Sequence, residues 1–333
     1  MSHLIFIIGA PRSGTTWLAK VFDSHPDVLY RHEPDLVDPA PDIPLVCNEK
    51  DRVDHVEAIR RHVDRWVATR NLKAVGTFPV FAKSFDRPFG RPARLLTIGA
   101  LRLKQTLSGR AVHDHALPTE FHDPKARAPS HVVIKSISAL GRAGVLAEAL
   151  PEARIILIMR NPLAQIASRS IGVARAKLEA YRFKPELLDT PQARRLELTA
   201  GVLERATMQE QMAWEWVILN EKACDELTPR ANAMVVRYSD VVMRPVERMR
   251  ALFQFAGVSW RAETEAFIRR SVNYRGPDLY FQVLKDAERS LNKWRDSLSV
   301  PEQERVRSVI EQSHLAGLWP EHFRSAAQPL SPA

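Results

Sequence analysis

The sequence predicts an α/β protein, a central parallel sheet covered by helices on both faces. Three observations carry this. Four short β-rich apolar runs lack the strict alternation of half-exposed strands, as parallel strands covered on both sides do. Helical stretches lie between them, and alternating strand and helix is the mark of a doubly covered parallel sheet. The first run passes through a glycine-bounded loop into an amphipathic helix, so that successive backbone N–H groups and the positive helix end face an anion.

Taken in order, the first strand covers 4–8, Leu4-Ile5-Phe6-Ile7-Ile8. The loop that follows reads Gly9-Ala10-Pro11-Arg12-Ser13-Gly14-Thr15-Thr16-Trp17-Leu18, and an amphipathic helix covers 15–24. Further strands are expected at 132–135, 154–159 and 233–237, each a compact apolar run. Helices are expected at 139–150, 163–177, 193–224 and 245–256. Trp214 and Trp216 lie on the helical stretch 208–224 and read as core. In such a sheet the ligand binds beyond the carboxyl ends of the strands. Residues 38–130 differ: they are rich in Pro, poor in clear strands, and basic and partly apolar from 78 to 109. Within them, 95–104 reads as an amphipathic helix packed on the core, with a substrate lid or a membrane-touching face for a lipid-like acceptor as the sharper alternative. The expected organisation is a single domain over 1–325, with 38–130 as an acceptor-side insertion and 326–333 as a frayed tail.

Composition narrows the function. The 333 residues are 45% hydrophobic and 26% charged, with a net charge of +9. A basic surface suits nucleic acid, an anionic membrane or a polyanionic small molecule. No zinc-ligand spacing, RNP-type aromatic motif or basic tail is present, so no nucleic-acid partner is expected. Cys47 and Cys224 are too few for a disulfide scaffold and lack metal spacing, so both are expected as ordinary thiols. The N-terminal apolar run leads into the loop rather than into a cleavage site, and no segment approaches the ~20 apolar residues of a membrane span. A cytoplasmic, bacterial enzyme is expected.

The loop carries the chemistry. Gly9 and Gly14 match the G-x-x-x-x-G of nucleotide-triphosphatase loops, which continue with Lys for the β/γ-phosphates and Ser/Thr for Mg²⁺. Here those two positions are Thr15 and Thr16, and the cation comes earlier, at Arg12. The site therefore suits a phosphate but not a magnesium-bound triphosphate. Pro11-Arg12-Ser13-Gly14-Thr15-Thr16-Trp17-Leu18 resembles the 5′-phosphosulfate loop of the sulfotransferases that use 3′-phosphoadenosine 5′-phosphosulfate (PAPS). The resemblance implies a P-loop-like three-layer sandwich, PAPS as co-substrate, PAP as product and no metal, with Pro11 to Trp17 at the nucleotide.

Three further segments extend the resemblance. Strand 154–159 ends in Arg160-Asn161-Pro162, and Ser168 follows two turns into the next helix. This resembles the family's 3′-phosphate pair, Arg-x7-Ser, and an Arg fork with a hydroxyl suits a phosphate. Val235-Val236-Arg237-Tyr238-Ser239-Asp240 resembles the family's Tyr-Glu-Asp segment, which implies that Tyr238 contacts the adenine, although a strand-end Tyr packed in the core fits the same pattern. Trp17 is a second adenine candidate, since an aromatic face stacks on a purine. Asn292-Lys293-Trp294-Arg295 with Leu298 is similar to a segment near the end of bacterial and carbohydrate sulfotransferases, and Lys293 would close over the 3′-phosphate.

Sulfuryl transfer needs a base for the acceptor hydroxyl, stabilisation of the bridging oxygen and in-line placement. Asp23-Ser24-His25-Pro26-Asp27-Val28 followed by Glu33-Pro34 is similar to the tyrosylprotein and carbohydrate branches, and this implies Glu33 as base. The cytosolic small-molecule branch uses a His after Lys-Thr at a strand end. In this chain that segment reads Val133-Ile134-Lys135-Ser136-Ile137, with Lys present and His replaced by Ile137. Lys135 would then join Arg12 at the bridging oxygen, with His32 as the fallback base, because an unperturbed imidazole titrates near neutrality. The reading is transfer of a sulfuryl group from PAPS to a hydroxyl of a small-molecule, carbohydrate or lipid-like acceptor. The alternatives are a P-loop kinase or NTPase, or a non-catalytic PAP-binding protein. Acceptor identity and oligomeric state are not encoded in any motif, and peripheral membrane contact stays open.

Overall fold

Five strands form one all-parallel sheet: β1 (His3–Ile8), β2 (Val28–His32), β3 (His131–Ser136), β4 (Arg154–Met159) and β5 (Ala233–Arg237), in the spatial order β2-β3-β1-β4-β5. The structure is a computed structural model and describes residues 3–108, 120–276, 283–284 and 286–324.

Side chains alternate across each strand, and each set meets its own helical layer. Phe6, Ile8, Ile134, Ile155 and Leu157 face one way, onto the helices Arg52–Ala68, Ala143–Ala149, Pro162–Ala174, Met208–Leu227 and Val300–Ile310. Ile5, Ile7, Val133, Ile156 and Ile158 face the other, onto α1 (Thr15–Asp23) and the helices Pro245–Ala256 and Ala262–Val272. The three-layer sandwich expected from the sequence is therefore the fold, with both faces of the central strands dry.

Several expected elements differ in detail. β2 was not expected, because its run contains Arg31, which lies buried at the sheet edge with its guanidinium on Glu120 at 2.6 Å. The single helix expected over 193–224 is three: Pro191–Arg195, Ala200–Arg205 and Met208–Leu227. Thr190, Thr199 and Thr207 each accept a backbone N–H from the following turn and restart the helix, the last within a capping box with Glu210. The helix expected over 163–177 ends at Ala174, and Ala176 takes a left-handed φ of 49°. Cys47 and Cys224 are free and buried, and burial raises their thiols to about 11 and about 12. Trp214 and Trp216 are core.

Within 38–130 two long helices stand out, Arg52–Ala68 and Gly90–Ser108. The second contains the expected amphipathic stretch: Arg94, Ile98 and Leu101 point inward, while Leu96, Leu103 and Leu107 are exposed. Residue 109 and the tail 326–333 lie outside the described residues.

Candidate active site

Every strand ends at a residue singled out from the sequence. Arg12 follows β1, Glu33 follows β2, Lys135 lies at the end of β3, Arg160 follows β4 and Tyr238 follows β5. The carboxyl edge of the sheet thus gathers residues far apart in the chain, as parallel topology dictates.

The loop between β1 and α1 is wound by two left-handed residues, Arg12 at φ 72° and Gly14 at φ 102°. Ser13 N–H donates to Ala10 O at 3.1 Å and Leu18 N–H to Gly14 O at 3.1 Å. The first-turn amides of α1 have no acceptor within the helix and point at the loop's concavity. Gly14 allows a close approach as well as a φ: a Cβ there would stand 2.4 Å from the Tyr238 ring. Ser13 is the one member of the expected set whose side chain does not line the cleft; its hydroxyl is buried without a partner, and only its backbone belongs to the loop.

Arg12 Nε donates to Ser168 Oγ at 3.0 Å. Ser168 and Arg160 line the same cleft, with the Ser168 hydroxyl on Arg12. Arg160 reaches Arg12 O at 3.1 Å and Ser290 O at 2.5 Å, and its guanidinium lies 5.1 Å from the Tyr238 ring centre. The two arginines and Ser168 therefore form one cluster, built from the loop and both sides of the β4 end. Burial lowers Arg160's pKa, and its buried Nε has no partner. Tyr238 meets Trp17 edge to face at 6.5 Å, and the Trp17 indole N–H donates to Ser271 Oγ at 2.9 Å. Lys293 and Ser290 stand on the same wall of the cleft.

At the other end, β2 and β3 are in register with His32 opposite Lys135, and Glu33 N–H extends the ladder to Lys135 O at 2.8 Å. That pairing brings the Lys135 ammonium onto Glu33 Oε1. Lys73 approaches Oε2 at 3.7 Å. Burial pushes the Glu33 carboxyl up, but Lys135, His32 and Lys73 outweigh it and hold the group below the ordinary carboxylate range. Burial lowers Lys135, and Glu33 only partly offsets this. His32 is driven down to about 3 by burial and by Lys135, so it is neutral at physiological pH, with Nδ1 2.8 Å from the Tyr30 hydroxyl. The neutral-range titration that made His32 a fallback base is lost. Asp35, two residues beyond Glu33, accepts from Ser136 at 2.5 Å and from Ser138, which fastens this turn to the end of β3.

These groups share one cleft of about 1260 Å³. Its ionisable lining is nine Lys and Arg against two carboxylates, Glu33 and Asp286, so the field favours a polyanion. Phe78, Ile137, Ile171 and Leu178 supply apolar wall. Lys73, Arg102, Arg175 and Arg289 also line it and were not singled out from the sequence. No motif surrounds Lys73 or Arg102, which arrive from the 38–130 region; Arg289 lies just ahead of the Lys293 segment and was within reach of it.

Residues 5–262 match the model of the Sulfotransferase family. Human carbohydrate sulfotransferase 6 is 24% identical over 338 residues, covering 92% of this chain and 78% of that protein. Rat carbohydrate sulfotransferase 3 is 24% identical over 170 residues, 49% of this chain; the match spans only 33% of that protein's length. Among solved structures, the sulfotransferase domain from the curacin biosynthetic pathway superposes with a TM-score of 0.43 at 15% identity, covering 94% of this chain and 97% of that one. Mouse sulfotransferase SULT7A1 complexed with PAP gives 0.40 at 12% identity, covering 98% and 86%. The family match takes in the loop, Glu33, Lys135, Arg160 and Tyr238 together, and the chain belongs to the sulfotransferase family.

Proposed function

We propose that the chain moves the sulfuryl group of PAPS onto a hydroxyl of a small-molecule, carbohydrate or lipid-like acceptor, with Glu33 as general base. The observation that supports this best is the Glu33–Lys135 pair at the ends of adjacent strands, in the same cleft as the phosphate loop. PAPS supplies an activated sulfuryl group and two phosphates, and the residues fit it. The loop amides of Gly14 to Thr16 with Arg12 suit the phosphosulfate. Arg160, whose buried Nε lacks a partner, suits the 3′-phosphate together with Ser168 and Lys293. We assign the adenine to Trp17 and Tyr238, which line the same cleft.

Glu33 divides its two oxygens. Oε1 is committed to Lys135, while the long contact of Oε2 with Lys73 leaves it able to accept the hydroxyl proton. Because Glu33 stays ionised, it is ready as a base throughout the neutral range. Lys135 and Arg12 are the cations for charge developing on the bridging oxygen. We read residues 1–325 as one domain in which 38–130 forms the acceptor wall through Lys73, Phe78 and Arg102.

The test is incubation of the protein with PAPS and candidate hydroxyl acceptors or whole extracts, followed by mass spectrometry for the gain of one SO₃. PAP should bind in preference to ATP·Mg²⁺ in calorimetry, because the second phosphate is expected at the ribose 3′ position. Equal affinities would return the kinase or NTPase reading. Tight PAP binding without turnover on any acceptor would return the non-catalytic one.

A further inference from the structure

The helix Gly90–Ser108 exposes an apolar row that is unpartnered among the described residues. Leu96 is 75% exposed, Leu103 60% and Leu107 80%, with Phe89 at 80% just ahead of the helix. Their spacing along the chain puts all four on one face. Single exposed leucines are ordinary, but a continuous row is a mark of an interaction surface. From Arg87 to Ser108 the sequence holds no Asp or Glu, and Arg87, Arg91, Arg102 and Lys104 are exposed, while Arg94 is buried toward Asp86. Solvated helices ordinarily mix the two signs.

We propose that this helix docks on an anionic lipid surface. The apolar row enters the boundary between headgroups and acyl chains, and the exposed Arg87, Arg91 and Lys104 side chains reach the lipid phosphates. Charge argues against a second copy of the chain as the occupant. A twofold dimer through this face would set two acid-free basic helices against each other. Docking also orients the cleft. Arg102 lies 4.5 Å over the Phe78 ring, and both line the cleft wall, so that wall would stand at the lipid surface. A hydroxyl presented from the lipid layer would then have a short route to Glu33. This consequence for the acceptor rests on the sulfuryl-transfer reading; the docking itself does not.

The experiment is co-sedimentation of the full chain with vesicles of phosphatidylcholine alone and of phosphatidylcholine with phosphatidylglycerol, at low and high salt. The anionic vesicles should bind the protein, and salt should weaken the binding. Leu96→Gln/Leu103→Gln/Leu107→Gln should weaken it by at least about tenfold. Arg87→Gln/Lys104→Gln should cost about fivefold per charge removed. Both variants should keep wild-type affinity for PAP, which separates docking from the donor site. Equal partition to both vesicle types, or wild-type binding by the triple variant, overturns the proposal. So does a concentration-dependent dimer that the triple variant abolishes in the absence of any vesicle binding, because a second copy would then cover the face.

Discussion

Glu33 adopts φ 46°, ψ 50°, a left-handed conformation that costs a non-glycine residue about 1–2 kcal/mol. The ladder bond to Lys135 O, the ion pair with the Lys135 ammonium and the Asp35 anchor all hold it there. Glu33→Gln keeps the shape and removes the base. Turnover should fall by about 10²–10⁴-fold, with PAP affinity unchanged in calorimetry; near-normal turnover would move the base elsewhere. The wild-type pH profile gives a second reading. A base must be deprotonated to act, and the Glu33 carboxyl lies below its ordinary 4.5, so kcat/KM should stay flat from neutrality down past 6.5 and fall only below 4.5. An inflection near 6.5, the ordinary His value, would implicate a histidine, although His32 itself is held at about 3. On the donor side, Arg160→Ala deletes a charged fork and should weaken PAP by roughly 2–5 kcal/mol. Arg160→Lys should fall between, since it keeps the charge but not the bonds to Arg12 O and Ser290 O. Unchanged PAP affinity in a folded Arg160→Ala protein would refute the phosphate assignment.

The loop works as an element because β1 and α1 are stiff and Gly14 lets Tyr238 rest on its α-carbon. Gly14→Ala forces a Cβ into that ring and a left-handed φ of 102° onto alanine. The expected result is a lower melting temperature and weaker PAP binding. Gly14→Ala/Tyr238→Ala should recover only part of the stability, because it relieves the contact but not the backbone strain; a melting temperature unaffected by Gly14→Ala would mean that the loop is not rigid. This element was legible in the sequence because its function is local: the motif residues are contiguous and their backbone makes the cradle. The same holds for the cores of β1, β3, β4 and β5, whose apolar runs need no partner to be recognised. β2 was not legible, because the buried Arg31 depends on Glu120, which arrives from 89 positions away, and on Val67 O. The hydrogen bonds of Arg160 and Ser168 were hidden for the same reason: the helical spacing of Arg-x7-Ser does not show that Ser168 accepts from Arg12 or that Ser290 O accepts from Arg160. The break of the 193–224 helix was written in Thr207-x-x-Glu210, a capping box, and long-range periodicity masked it.

Across the whole molecule, the acceptor wall is tied to the donor framework through buried charges. Lys20 on α1 donates to Thr77 O at 2.8 Å and Pro79 O at 3.0 Å, while Asp23 accepts from Lys20 at 2.8 Å and pairs with Lys83 at 2.9 Å. All three side chains are buried, so Asp23 offsets two desolvated ammonium groups at once. Asp23→Asn removes the carboxylate that both pair with and should cost about 3–5 kcal/mol of unfolding free energy near neutral pH. Because Lys20 holds the segment that carries Phe78, the variant should also raise KM for the acceptor more than it weakens PAP. The pH dependence separates charge from packing. Burial alone would raise the Asp23 carboxyl, but Lys20 and Lys83 bring it down from 3.8 to about 2 in the fold. A carboxyl with a depressed folded pKa binds protons more readily in the unfolded chain, so its contribution is complete above 3.8 and fades as pH falls through about 2. In denaturant titrations the gap between wild type and Asp23→Asn should therefore be constant down to 3.8 and close as pH approaches 2. A gap that persists unchanged to the acid end would show that the amide disturbs packing rather than charge, and that the two lysines do not depend on Asp23.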